Sequence, residues 1–204
     1  MNEIDTPAIV EEISGSIATV RFNRPAQRNS LSSTIIDQLE QLLSELIEND
    51  SVQAIIFTGS DDAFLSGADI RELATLDETS ARAFSKKGQA ILQRIADAKQ
   101  ATIAAINGYC MGGGLDLALS CDIRIASSTA VFAHPGARLG IITGWGGTQR
   151  LPRLIGKSRS LQLFATTQRL TSLESFKIGL ITGIYDPVME GAMALAASVA
   201  IISS

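Results

Sequence analysis

The feature that most restricts this chain is a recurring order: a short apolar run, a glycine-marked loop, then a helix-length stretch with one apolar face. Residues 8–13 and 17–22 read as two strands joined by a turn at Ser14-Gly15-Ser16. Residues 34–49 follow, with Ile35, Ile36, Leu39, Leu42, Leu43, Leu46 and Ile47 on a helical period, which predicts a helix with one buried face. Residues 52–58 form an apolar run ending in glycine, the pattern of a strand covered on both sides. The order then repeats: a helix over 81–98, a strand over 102–106, a glycine-opened helix over 113–120 and a strand over 122–126. Beyond Gly146 helices dominate, at 146–155, 158–166, 173–178 and 188–201. Strands alternating with helices predict an α/β fold with mostly parallel pairing. Periodicity alone leaves open a doubly wound sheet or a strand-strand-helix spiral.

Composition removes several classes of function. The 204 residues carry 17 Lys and Arg against 21 Asp and Glu, so no basic stripe speaks for nucleic acid. With 46% hydrophobic and 19% charged residues, the chain has the apolar content for a core and is a poor candidate for disorder. One histidine and two cysteines, Cys110 and Cys121, make neither a multi-histidine metal site nor a disulfide framework. No metal and no separate cofactor is expected. The acidic start, residues 1–12, shows no leader, and no apolar stretch approaches the roughly 20 residues that cross a bilayer. A soluble protein of the reducing cytoplasm is the expectation, with no membrane partner.

Chemistry is expected at two glycine-marked loops. FLSGADI, residues 64–70, follows the strand ending at Thr58, and GYCMGGGLDL, residues 108–117, follows the strand ending at Ile106. A strand running into glycines and then a helix frees backbone N–H groups to bind a phosphate or a carbonyl oxygen that gains charge. Close packing of helix on strand is the alternative reading of such a loop. Neither loop matches a dinucleotide or nucleoside-triphosphate fingerprint.

Four segments in order, VRFNRPAQRNSL, AIIFTGSDDAFLSGADI, ATIAAINGYCMGGGLDLALSCDIRIAS and LGIITGWGGTQRLPRLIGKS, make the sequence resemble the crotonase (enoyl-CoA hydratase/isomerase) superfamily over nearly its whole length. The resemblance implies a spiral of ββα units that binds acyl-CoA thioesters, with CoA arriving as part of the substrate. It implies one domain over 1–204, with a spiral core to about 155 and a helical part from about 156. It also implies that the amides of Ala68 and Gly113 hold the thioester enolate, next to Gly112. For CoA and the acyl group it points to Ala26, Arg28, Ser66, Gly67, Asp69 and Ile70. A homo-oligomer, a trimer or dimer of trimers, comes with the same resemblance.

Departures from the family pattern matter as much. The first of the hydratases' two glutamates maps to Asp116, which keeps a carboxylate able to act as acid or base. The second maps to Gly136, and the isomerases' additional aspartate maps to Gly144. His134, Arg138 and Trp145 stand nearby as replacements, although a structural histidine, a surface arginine and a core tryptophan are the plainer readings. An enzyme of enoyl-CoA hydratase/isomerase type is the leading expectation. A malonyl-type acyl-CoA decarboxylase or a thioester hydrolase on the same scaffold is the rival, with His134 or Arg138 orienting a departing carboxylate. A silent acyl-CoA-binding protein is the third reading. The family normally continues with more helices past GLITGIYDP, so the last helix, with Met193, Leu195, Ala196, Val199, Ile201 and Ile202, is expected to lack a partner within the chain.

Overall fold

In the computed structural model, which describes residues 7–202, the elements follow one another as β1 (Ile9–Ser14), β2 (Ile17–Phe22), α1 (Ser33–Glu48), β3 (Ala54–Thr58), β4 (Ala63–Leu65), α2 (Ile70–Leu73), α3 (Glu78–Ala96), β5 (Ala101–Ile106), β6 (Tyr109–Met111) and α4 (Gly113–Ser120). The second half runs β7 (Ile123–Ala126), β8 (Val131–Ala133), α5 (Gly147–Ile155), α6 (Lys157–Thr166), β9 (Leu170–Thr171), α7 (Ser172–Lys177), β10 (Gly183–Ile184) and α8 (Val188–Ile202). Short 3-10 turns lie at Pro25–Gln27 and Pro135–Leu139. The leaderless reading of the N-terminus concerns residues 1–12, of which 1–6 lie outside the described residues.

From β3 onward, successive turns of the chain deal one strand to each of two sheets, and this settles the choice left open by periodicity in favour of the ββα spiral. The first sheet has the order β1-β2-β3-β5-β7-β10 and the second β4-β6-β8-β9. In the first, β2, β3, β5, β7 and β10 pair in parallel, and only β1 runs antiparallel to β2. Strands β4, β6 and β8 of the second sheet are three residues each and did not show in the apolar pattern.

Alternation along the strands explains why the large sheet reads as continuous apolar runs. Val20, Ile55, Phe57, Ala104 and Ile106 face α1 and α3, while Ile17, Ala54, Ile56, Ile103 and Ala105 face the other way. The second face is covered by α8, through Val188, Ala192 and Ala196. These are spaced four apart, on one helical stripe, and two are small enough for close approach. The expected absence of a partner for this helix is therefore corrected: its partner is the back of the sheet. Met193 and Leu195 are half-buried there, while the side chains of Ile201 and Ile202 lie outside what is described.

Helix starts follow local chemistry. Ser32 accepts the Ile35 N–H at the head of α1, whose Ile35, Ile36, Leu39, Leu43 and Leu46 are buried. Helix α3 begins three residues earlier than its apolar pattern, because Asp77 and Ser80 form a reciprocal cap.

Candidate active site

Loops leaving the small sheet converge on one point. Gly67 and Gly112 each hold a positive φ, 102° and 51°, which turns the chain so that the following amide faces outward. Leu31 bridges to Ala68 in parallel fashion, its N–H donating to Gly67 O (2.8 Å) and its carbonyl accepting from Asp69 N–H (3.1 Å). That pattern spends the groups on either side of Ala68 and leaves the Ala68 N–H on the opposite edge. Gly113 is the first residue of α4, where an N–H has no partner inside the helix. Neither amide donates a hydrogen bond among the described residues. They are neighbours: a Cβ on Gly113 would lie 3.5 Å from the Ala68 nitrogen, and one on Gly67 3.3 Å from the Gly113 nitrogen.

Both amides border a cavity of about 240 Å³. Ser66, Gly67, Ile70, Gly112, His134 and Trp145 also line it, with Leu73, Leu76, Phe84 and Ile142 supplying apolar walls. Trp145 is buried between α3 and α4: Cβ atoms on Gly88 or Gly113 would meet its ring at 2.2 and 2.6 Å. Its indole also packs on Phe84, centroid to centroid 5.2 Å. One end of the cavity is thus a rigid aromatic wall beside the paired amides.

Asp116 projects from α4 into the protein and is fully buried, touching residues of the cavity wall rather than lining the cavity. Its Oδ2 accepts a hydrogen bond from the Thr143 hydroxyl. Its Oδ1 faces His134 Nε2 at 3.4 Å, and neither of those two buried atoms has a hydrogen bond. Burial pushes the Asp116 carboxyl up to about 7, an effect that the Thr143 hydroxyl, the Arg150 charge and the Trp145 amide partly offset. Burial likewise holds His134 down to about 4, so its ring is neutral near pH 7.

A second cavity, of about 220 Å³, shares Ser66 and Pro135 with the first and carries three arginines, Arg28, Arg138 and Arg169. The Arg28 guanidinium lies 5.1 Å from the centroid of the Tyr109 ring. Arg138 does not join His134: its Nε donates to Thr167 Oγ1 at 2.6 Å, and it lines this second cavity. Asp69 uses its carboxylate to cap α2 through Arg71 N–H, 2.9 Å. Ala26 is exposed on the first 3-10 turn and lines neither cavity. Gly136 and Gly144 border the first cavity; a Cβ would stand 2.7 Å from Ile141 O at the one and 2.9 Å from Ser85 Oγ at the other.

Two contributors escaped the sequence reading. Asn29 is buried with a left-handed φ of 53°, donating to Ala63 O at 2.8 Å and accepting from Arg24 N–H at 2.8 Å. It ties the loop that holds Leu31 to the strand that precedes Ala68. An Asn after a Pro-marked turn was the available signal. Thr143 is the other, with nothing local in the sequence to announce its bond to Asp116.

Comparison with known proteins agrees with this architecture. The family model for enoyl-CoA hydratase/isomerase matches residues 12–202. The chain is 41% identical to the short-chain-enoyl-CoA hydratase of Clostridium acetobutylicum, over 88% of this chain and 69% of the relative. It is 38% identical to the crotonyl-CoA hydratase of Syntrophomonas wolfei over the same shares, 88% and 69%. A crystal structure of an enoyl-CoA hydratase from Bacillus anthracis superposes with a TM-score of 0.91 at 34% identity, covering 95% of this chain and 77% of that one. The spiral, the paired free amides beside a cavity and these matches lead to one conclusion: the chain is an enzyme of the enoyl-CoA hydratase/isomerase family.

Proposed function

We propose that the protein adds water across the double bond of a short 2-enoyl-CoA thioester, through an enolate held by the Ala68 and Gly113 amides. The observation that carries this reading is the pair of unused N–H groups on one cavity. Donors fixed in advance and aimed at a developing oxyanion stabilise it without reorganisation, and losing one such donor typically costs about 3 kcal/mol of barrier. The named activities of the relatives from Clostridium acetobutylicum and Syntrophomonas wolfei favour a short acyl chain and hydration. The aromatic wall at Trp145 and Phe84 is in keeping with a small acyl group.

Asp116 supplies the carboxylate of the acid/base machinery. Gly136 stands where the hydratases' second glutamate is expected and supplies no proton; the backbone there packs on Ile141 O too closely for a side chain. The three arginines of the second cavity suit the phosphates of CoA, with Arg28 and Arg138 as its contacts. Decarboxylation loses support, since Arg138 is turned away from His134. The enzyme works as a homo-oligomer, for which exposed Leu161, Leu173 and Phe176 offer apolar surface. Two buried thiols without a disulfide suit a reducing compartment. No helix among the described residues is long and apolar enough to cross a membrane.

Mass spectrometry of crotonyl-CoA incubated with the protein tests the reading. Gain of one water is the expected result. Protein that binds butyryl-CoA yet leaves crotonyl-CoA, a 3-enoyl-CoA and ethylmalonyl-CoA unchanged would instead be a silent acyl-CoA binder.

A further inference from the structure

A hydratase with one carboxylate and a glycine in place of the other lacks a visible carrier for the proton that passes from water to Cα. The buried contact between α4 and the turn after β8 offers one. Asp116 Oδ1 and His134 Nε2 are 3.4 Å apart, both closed off from solvent and both without any other hydrogen bond. Two such atoms, left bare, are costly, and a single proton between them satisfies both. Asp116 cannot turn away, since its other oxygen is held by Thr143 and a Cβ on Gly147 would already meet Oδ1 at 2.1 Å. The imidazole is fixed from behind by Phe164, 4.8 Å between ring centroids. Of the two residues, His134 is the one that lines the cavity.

We propose that His134 and Asp116 form a one-proton dyad, in which His134 is the catalytic residue that meets the substrate and Asp116 is its buried positioning carboxylate. This rests on the reading of the protein as an enoyl-CoA hydratase. With Asp116 ionised and Nε2–H directed at Oδ1, Nδ1 is the nitrogen left to accept a proton. One O–H bond of water breaks and its proton goes to Nδ1, while the water oxygen bonds to Cβ of the enoyl group. The π electrons move through Cα into the thioester carbonyl, and the enolate oxygen rests on the Ala68 and Gly113 amides. The proton then leaves Nδ1 for Cα, restoring the neutral ring; the net change is addition of one water. Catalytic hydrogen bonds that are long before substrate arrives commonly tighten in the complex, so 3.4 Å is a workable starting distance.

The other groups facing the pair do not compete for this proton. Arg150 on α5 adds a positive charge that favours ionised Asp116. Cys110 on β6 is fully buried with its thiol pushed well up, so it stays neutral. Thr143 donates and does not titrate. Below about pH 7 Asp116 takes up a proton, the pair is filled, and His134 can no longer accept from water. The acid side of the activity profile therefore reports the dyad.

The test uses the full chain with crotonyl-CoA as substrate and butyryl-CoA as the unreactive binding probe. His134→Gln keeps an N–H donor able to face Asp116 but has no basic nitrogen to take a proton from water; kcat is expected to fall roughly 10²–10⁴-fold while butyryl-CoA binding persists. In His134→Ala, added imidazole is expected to restore part of the turnover, which a structural histidine would not allow. Wild-type kcat/KM is expected to drop tenfold per pH unit below about 7. Wild-type kcat in His134→Gln overturns the dyad, and so does a flat wild-type profile from pH 5 to 8, a result that needs no variant to fold. Wild-type protein that binds butyryl-CoA but never hydrates crotonyl-CoA defeats the hydratase reading itself, a different failure from either of these.

Discussion

The two sheets divide the work of the molecule unequally. The large sheet has central strands of four to six residues, covered on one face by α1 and α3 and on the other by α8. The small sheet is made of strands of two or three residues, yet the loops that hold Ala68 and Gly113 leave it directly. One sheet contributes burial, the other aims backbone groups. Stability and chemistry are separable here because each ββα turn from β3 onward gives one strand to each sheet.

The largest effect is expected in the large sheet. Phe57 on β3 has no exposure, and Phe57→Ala should cost about 3–5 kcal/mol of stability in urea unfolding. The folded fraction should keep its kcat, because Phe57 lines neither cavity. Loss of kcat in fully folded Phe57→Ala protein would break the division between the sheets. Next comes Gly113→Ala, whose Cβ would meet the Trp145 ring at 2.6 Å. Moving the amide off its aim is expected to lower kcat by about 10²-fold, the scale of one lost oxyanion donor. Thermal unfolding should shift far less than in Phe57→Ala. Smallest is Asn29→Ala, which takes the side-chain acceptor from Arg24 N–H and leaves Ala63 O with the Asn107 amide as its side-chain donor. About 1–3 kcal/mol of stability should be lost, and the loop carrying Leu31 should loosen, seen as faster amide exchange at Asp69. Unchanged exchange there would show that the clamp is not what holds the first amide.

Legibility in the sequence follows the same divide. Strands β3 and β5 and helix α1 announce themselves, since both faces of one and one face of the other are apolar over many residues. A three-residue strand such as β6 has no period to detect, so the small sheet was invisible. Its consequences were not: the glycines at 67 and 112 marked the turns, and the four-segment resemblance put Ala68 and Gly113 together. Asp116 was legible as a carboxylate in the right segment, but its retreat behind the cavity wall depends on Thr143 and Gly147, 27 and 31 positions away. The final helix looked unpartnered because its stripe of Val188, Ala192 and Ala196 matches a sheet face distant in the chain. Arg138 looked like a neighbour of His134, and the short turn at Pro135–Leu139 sends it into the other cavity.

On the proposed function, Ala68 and Gly113 present their amides to one thioester oxygen. A crystal structure of the protein with butyryl-CoA measures this directly. The thioester oxygen is expected about 3 Å from both nitrogens, with the acyl chain running toward Trp145 and Phe84. A thioester oxygen directed away from both amides, or an acyl chain in the arginine-lined cavity, would contradict it.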